Sequence, residues 1–212
     1  MIQRFFKQPF AAMVQGILVV LLVVSFAMIT QQFSETIYRI GFLLIKKYFP
    51  QYTPLLNHLR DVNTNTLRVS LSWIYRILLH LPEGATRDEL HLLLPDEDLD
   101  VFFNQHNPPD DGLYPIRGVV LFGLAEMERA RRFAAEMKAG RIEELGRLMN
   151  ISHDGDRVIS IAADGSERPY RAPTSNDYIR SLIDDLESGN LDRAKRAQLQ
   201  WQPGSYHCSL PE

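Results

Sequence analysis

A charge-free, largely apolar run near the N-terminus limits the ways in which this chain can be placed in water or lipid. No charged residue occurs from Gln8 to Ser34, although 23% of the whole chain is charged. The centre of the run, GILVVLLVVSFAMIT, is long enough as a helix to approach the ~30 Å hydrocarbon core of a bilayer. Such a segment needs burial in lipid or inside protein.

We predict that residues 1–35 contain a single membrane-spanning helix that anchors the chain. The charge-free run is longer than a usual signal-peptide core, and no small-x-small cleavage site follows it. Two alternatives stay open: a signal sequence, and a cytoplasmic chain in which the run is a buried core helix or a pair of buried strands. The valines at positions 19, 20, 23 and 24 suggest the strands.

Basic residues flank the run on both sides, so the positive-inside rule does not choose an orientation. The flanking charges are Arg4 and Lys7 before the run, and Glu35, Arg39, Lys46 and Lys47 after it.

Charge and cysteine content exclude several classes of protein. The 23 basic and 26 acidic residues are interspersed and give a formal charge of −3, so no positive field is available for nucleic acid. Cys208 is the single cysteine, which rules out an intrachain disulfide framework and a cysteine-built zinc site. Residues 36–212 are long enough to form one globular region with its own core.

Helical spacing of apolar residues predicts two helices in the first part of this region. TIYRIGFLLIKKYF carries Ile37, Ile40, Phe42 and Leu44 on one broad face, and Pro50 and Pro54 end it. LRDVNTNTLRV is predicted as a helix end and an Asn/Thr-rich turn. LRVSLSWIYRILLHL then resumes helical spacing, with Trp73 and Tyr75 as packing residues and a buried stripe of Leu71, Ile74, Ile77, Leu78 and Leu81.

A short helix and an acidic loop are predicted next. Thr86 lies three residues before Glu89, which is the spacing of a capping box, and the helix should end before Pro95. DEDLDVFFNQHNPPDDG, at 96–112, is predicted to be a surface loop because Asp, Pro and Gly favour turns. A divalent-cation site built from its carboxylates is the alternative.

Two antiparallel helices joined by a glycine turn are predicted from Pro115 onwards. The first reaches Lys138, with a core-facing stripe of Ile116, Val119, Val120, Gly123, Met127, Ala130, Ala134 and Met137. Gly140 supplies the turn, and the second helix should direct Ile142, Leu145, Leu148 and Met149 to the core. His153, Asp154 and Asp156 follow beside Gly155, and we interpret them as a helix end, with a metal site as the alternative.

The remaining chain predicts a β-hairpin and one more helix. RVISIAADGSERPYRA should form strand, Asp-Gly turn and strand, and TSNDYIRSLIDDLESGN a capped helix closed by Gly189. The tail WQPGSYHCSLPE is predicted to be a loop that enters a strand. The fold class expected is therefore α+β, helix-rich, with a short β-hairpin and a preceding hydrophobic helix.

Several segments resemble the galactokinase branch of the GHMP small-molecule kinases. The match lies in GLAEMERARRFAAEMKAGRIEELGRLMNISHDGDRV, through Gly146, Leu148 to Asn150, and Ser152 with His153. Leu59 to Val62 and Ser209 to Glu212 are similar to two further family segments. The resemblance covers roughly residues 38–212 and implies an incomplete, C-terminal part of the kinase fold.

This resemblance implies an ATP-dependent sugar kinase that uses magnesium. However, the chain lacks the family's catalytic and ligand-binding motifs. It has no Gly/Ser-rich phosphate loop, no sugar-binding Arg-Asn-Leu-Ile-Gly-Glu-His stretch and no matching catalytic Asp. No catalytic, cofactor-binding or metal residue can therefore be assigned, and we expect no bound cofactor for this chain alone.

Two functional hypotheses follow, of different classes. In the first, the chain derives from a galactose-type kinase and is inactive unless a missing half is supplied. In the second, it is a membrane-anchored, non-enzymatic module whose exposed core face binds a protein partner, or else a truncated gene product that folds poorly.

Overall fold

A computed structural model describes residues 36–104, 112–154, 159–170 and 172–190 of the chain. The chain divides into two units, Met1–Glu35 and Thr36–Glu212, and every described residue belongs to the second. The predicted N-terminal helix and the predicted C-terminal strand lie outside the described residues. None of the described helices is long and apolar enough to cross a bilayer.

The first described helix, α1, covers residues 36–48 and confirms the helix predicted there. Ile37, Ile40 and Leu44 are completely buried, whereas Phe42 is only half-buried. A 3-10 helix at Pro50–Leu55 follows, with Pro50 in its first turn. The two prolines therefore end α1 as expected, because proline cannot donate the hydrogen bond that a continuing helix needs.

The Asn/Thr-rich stretch forms a helical turn, so the prediction of a plain turn was wrong. A 3-10 helix at Leu59–Asp61 is followed by the short helix α2 at Thr64–Leu67. The side chain of Asn63 accepts hydrogen bonds from the amides of Asn65 and Thr66, at 3.0 and 2.9 Å. Asparagine is a preferred N-cap, and this capping starts a helix where composition suggested a turn.

Helix α3, at Leu71–Leu79, confirms the predicted stripe. Its N-cap is Ser70, which accepts from the amide of Trp73 at 3.2 Å. The stripe of Ile74, Ile77, Leu78 and the following Leu81 is buried, and Leu71 is half-buried. Tyr75 is fully buried as predicted for a packing residue, but Trp73 is exposed.

Helix α4, at Arg87–Leu93, begins with the predicted capping box and ends before Pro95. The amide of Thr86 donates to the Glu89 carboxylate at 2.8 Å, and this hydrogen bond lowers the pKa of Glu89. The acidic segment after it contains a short helix, α5 at Asp100–Phe103, which the sequence did not predict. Residues 105–111 of that segment lie outside the described residues.

Helix α6, at Ile116–Lys138, is the longest described element and has nearly the predicted bounds. Every residue from Ile116 to Ala125 is buried. In the second half the predicted stripe was wrong, because Met127, Ala130, Ala134 and Met137 are all exposed. The residues buried there are Arg129 and Glu136.

Helix α7, at Ile142–Asp154, follows a turn in which Gly140 has a φ of +69°, as predicted. Only Leu148 of its predicted inward residues is buried, at 2% exposure, and Leu145 is half-buried. Ile142 and Met149 are 73% and 61% exposed, so that part of the prediction was wrong. Helix α7 packs against α6, and a single neighbouring helix covers only a narrow apolar stripe.

Strands β1 at Ile159–Ile161 and β2 at Glu167–Pro169 pair antiparallel, with Ser160 opposite Arg168. The predicted Asp-Gly turn joins them, and the Asp164 carboxylate accepts from the Ser166 amide at 3.0 Å. Helix α8, at Asn176–Glu187, is capped by Ser175 and followed by Gly189 at a φ of +90°. The described region is thus α+β, helix-rich with one small hairpin, as predicted.

Two glycines allow α1 and α6 to cross closely. A Cβ atom on Gly41 would overlap the Val120 side chain, and one on Gly123 would lie 2.6 Å from the Tyr38 ring. Because real Cβ atoms do not approach other atoms so closely, only glycine fits at either crossing point without a shift of the neighbouring side chain. This crossing fixes the first half of α6 in the core.

Candidate functional site

An open cleft of about 850 Å³ lies between the 60–65 segment, the start of α3 and the middle of α6. We call it the arginine cleft, because three of its lining residues are Arg60, Arg131 and Arg132. Its other lining residues are Asp61, Val62, Asn63, Thr64, Asn65, Leu71, Ile74, Leu124, Met127, Glu128 and Ala130. A volume of this size is typical of sites that bind ligands or side chains of a partner.

Apolar side chains from three elements line part of the cleft. Val62, Ile74 and Leu124 are buried residues that also belong to the core, whereas Met127 is exposed. On α6 the lining residues Leu124, Met127, Glu128 and Arg131 follow helical spacing, so they form one continuous stripe. The cleft therefore combines an apolar surface with charged side chains.

Three positive and two negative side chains line the cleft. Arg131 donates to both carboxylate oxygens of Glu128, at 2.5 and 2.7 Å, and this hydrogen bonding raises the pKa of Arg131. Arg132 lies 3.9 Å from the same carboxylate. The single Glu128 charge is thus shared by two arginines, which leaves positive charge on this side of the cleft.

The carboxylate of Asp61 is already occupied by its own backbone. It accepts from the amides of Asn57 and His58, at 2.9 and 2.8 Å. Burial raises the pKa of Asp61, but these hydrogen bonds and the nearby positive charges outweigh burial and lower it overall. Arg60 is exposed, and within the described region its guanidinium has no ion-pair partner.

The buried Arg117 holds together the scaffold from which the cleft is built. Its guanidinium donates to the carbonyls of Leu78, Leu79 and Leu81 at distances from 2.7 to 3.3 Å. It also donates to the Thr174 carbonyl at 2.8 Å, before α8. Glu83 lies 3.2 Å away, and burial lowers the pKa of Arg117 against the opposing effect of that carboxylate. One side chain thus fixes α6, the end of α3 and the start of α8.

A second polar cluster joins α6 to α7. Ser152 donates to the Glu126 carboxylate at 2.9 Å, and Arg129 pairs with the same carboxylate while its guanidinium lies over the Phe122 ring. Near the turn, Arg141 pairs with Glu136. Contacts at both ends of the pair show that the two helices are antiparallel, as predicted.

The residues that carry the kinase resemblance are not brought to one place. Arg60 to Val62 line the arginine cleft, whereas Ser152, on α7, contacts Glu126, which does not line it. Gly146, Met149 and Asn150 are exposed. The His153 side chain and residues 209–212 lie outside the described part. Among the described residues, no three His, Cys, Asp or Glu side chains lie close enough to hold a metal ion.

The sequence did not predict the arginine cleft as a site. The run Arg129 to Arg132 was a visible signal, since it places several basic side chains within one turn of a helix. However, Arg129 is buried against Phe122, and only Arg131 and Arg132 reach the cleft. Arg60 comes from a distant part of the chain, so the cluster exists only in the folded protein.

Comparison with protein-family models, with characterised proteins and with solved structures finds no match to this chain. The galactokinase-like resemblance therefore stays a prediction.

Proposed function

We propose that this protein is a non-enzymatic interaction module, attached to a membrane through residues 1–35, that binds a protein partner in the arginine cleft. The observation that carries this proposal is the cleft itself, in which an apolar surface and three arginines lie together on an open face. Interfaces between proteins combine these features, and arginine is enriched in them.

The electrostatics of the cleft favour binding over acid–base chemistry. A general base works best with a pKa near the operating pH, whereas the pKa of Asp61 is lowered from an already acidic value. The Asp61 carboxylate is thus not suited to take and return a proton near pH 7.

Photo-crosslinking in cells that express the chain tests the proposed partner. A photoreactive amino acid replaces Met127 in the cleft or, as a control, the exposed Ile142 on α7. We expect a discrete protein adduct from position 127 that is absent from position 142 and is lost when Arg60→Glu and Arg132→Glu are added. Equal adducts from both positions, or an adduct unaffected by the charge reversals, would contradict the proposal.

The membrane attachment has its own test. We expect the full chain to stay with the membrane fraction after alkaline carbonate extraction, because the run from Gln8 to Ser34 carries no charge. Val20→Lys with Val23→Lys places two charges at the centre of the run and should release the chain. Release of the unaltered chain would argue against an anchor and favour the cytoplasmic alternative.

One observation favours the second candidate, which is a part of a sugar kinase that needs a missing half for activity. The helix that carries Glu126 and Arg129 leads through Gly140 to Ser152, which is the order that the resemblance implies. Calorimetric titration of the purified full chain with magnesium-ATP, and separately with galactose, distinguishes the two candidates. We expect no binding of either ligand to folded protein, whereas binding at micromolar strength would favour the kinase.

A further inference from the structure

We infer that the occupant of the arginine cleft is an amphipathic helix of the partner, with an apolar stripe and acidic flanking residues. This inference rests on the proposed function and specifies the chemistry of the partner.

The shape of the cleft matches a short helix. The α6 stripe from Leu124 to Arg131 has i, i+3, i+4, i+7 spacing, which is the pattern of a helix surface that packs against another helix. It extends about 10 Å along α6, or two helical turns. The start of α3 and the 60–65 segment supply further walls. A partner helix of two to three turns would bury Met127 and the exposed side of Leu71.

The charges of the cleft favour a partner with acidic side chains. Three arginines stand against two carboxylates, so the lining carries a net positive charge. The Asp61 carboxylate already accepts two backbone amides, and Glu128 is already paired. Lysines on a partner would therefore meet a net positive charge, whereas glutamates would find Arg60 and Arg132.

The distribution of the arginines also favours a helix over a single anionic group. Arg60 comes from the Leu59–Asp61 turn, whereas Arg132 comes from α6. Both line the same apolar cleft from separate elements, and acidic side chains on a helix can flank an apolar stripe on both sides.

Three designed helical peptides test the inference on the full chain in lipid nanodiscs, by fluorescence anisotropy. The first has a leucine stripe at i, i+3, i+4 and i+7 with flanking glutamates. The second has the same stripe with flanking lysines, and the third has the glutamates with serines in the stripe. We expect the first to bind at least about tenfold more tightly than either of the others, a preference that higher salt weakens.

Substitutions in the chain supply the matched controls. Arg60→Glu with Arg132→Glu should weaken the glutamate peptide at least about tenfold and turn the preference toward the lysine peptide. Ala130→Trp, which fills the cleft from an exposed position of α6, should abolish binding of both. Arg168→Glu, on the exposed β-hairpin, should change nothing. Circular dichroism of each variant confirms that its helices are retained.

The outcomes separate this inference from the proposed function. If the lysine peptide binds as tightly as the glutamate peptide and Ala130→Trp removes both, the charge of the partner is wrong while the cleft remains a docking site. If no peptide binds although the crosslink from position 127 persists, the occupant is not an acidic helix. If the peptides do not bind and the crosslink is also lost, both ideas fail.

Discussion

The two halves of α6 differ in how they are buried, although one continuous helix contains both. From Ile116 to Ala125 every residue is buried, including Arg117. From residue 126 onward the apolar Met127 and Met137 are exposed, while Arg129 and Glu136 are buried. Helical periodicity is the same in both halves, so the surrounding elements make the difference.

The first half of α6 has close neighbours on several sides, and the second half has few. Helix α1 crosses it at Gly41 and Gly123, and Arg117 ties it to the end of α3 and the start of α8. The second half meets α7 through polar contacts at Glu126 and Glu136. Its opposite face lines the arginine cleft. The half with fewer neighbours is therefore the half with surface available for binding.

The largest expected effect comes from Arg117 in the fully buried half. Arg117→Met removes the donors for the carbonyls of Leu78, Leu79 and Leu81, so we expect a loss of about 3–5 kcal/mol in the free energy of unfolding. Urea unfolding of the full chain in mild detergent measures it. Arg131→Met, at an exposed arginine of the other half, should cost at most about 1 kcal/mol. Similar losses of stability for both variants would contradict the proposed difference between the two halves of α6.

Substitutions of Leu148 and Met149 test how α7 packs against the second half of α6. Leu148→Ala leaves a cavity where a buried side chain packs, and we expect a loss of about 2–4 kcal/mol. Met149→Ala, at the neighbouring exposed position, should change the free energy of unfolding by about 0.5 kcal/mol or less. Thermal unfolding of both variants decides this, and an equal loss for Met149→Ala would place that residue in a core.

The close crossing of α1 and α6 predicts a coupled pair of substitutions. Gly41→Ala should destabilise the protein by about 1–3 kcal/mol because its Cβ would overlap the stiff, β-branched Val120. In the background of Val120→Ala the same change should cost clearly less, since the overlapping atoms are gone. A double-mutant cycle by urea unfolding measures this coupling. Additive losses would mean that the crossing is not tight.

The smallest expected effect has the opposite sign. Gly146 lies within α7, and a Cβ added there would meet no atom within 4 Å. Gly146→Ala should therefore stabilise the protein by about 0.5–1 kcal/mol, because alanine loses less conformational entropy in a helix. A rise in melting temperature checks it. Destabilisation would show that another surface approaches this glycine.

Much of the local structure was predictable because its signals lie within a few residues of one another. The capping box at Thr86 and Glu89, the left-handed Gly140 and the Asp-Gly hairpin turn were all predicted and are confirmed. Each depends on a side chain or glycine that satisfies nearby backbone groups. The capping of α2 by Asn63 was missed because asparagine also favours turns.

The arginine cleft was not predictable, because no sequence pattern links the separate segments that line it. Arg60 and Arg132 lie far apart in sequence, and the intervening helices bring them to one cleft. The inward side of the second half of α6 was also misassigned. Apolar spacing selects Met127 and Met137. However, Ser152 of α7 and Arg141, just before α7, contact the other side of α6 at Glu126 and Glu136.

The amino-acid sequence alone thus indicated where the longer described helices and the hairpin lie, though not α2 or α5, because caps, glycines and prolines act over one turn of backbone. It also determined the apolar side of α1 and α3, where one broad stripe faces a crowded core. The tertiary structure decided which side of α6 is buried beyond Ala125, which arginine becomes a scaffold and which arginines line a cleft. Burial depends on the neighbours that the folded chain supplies, and a helical period specifies only that one side will be covered.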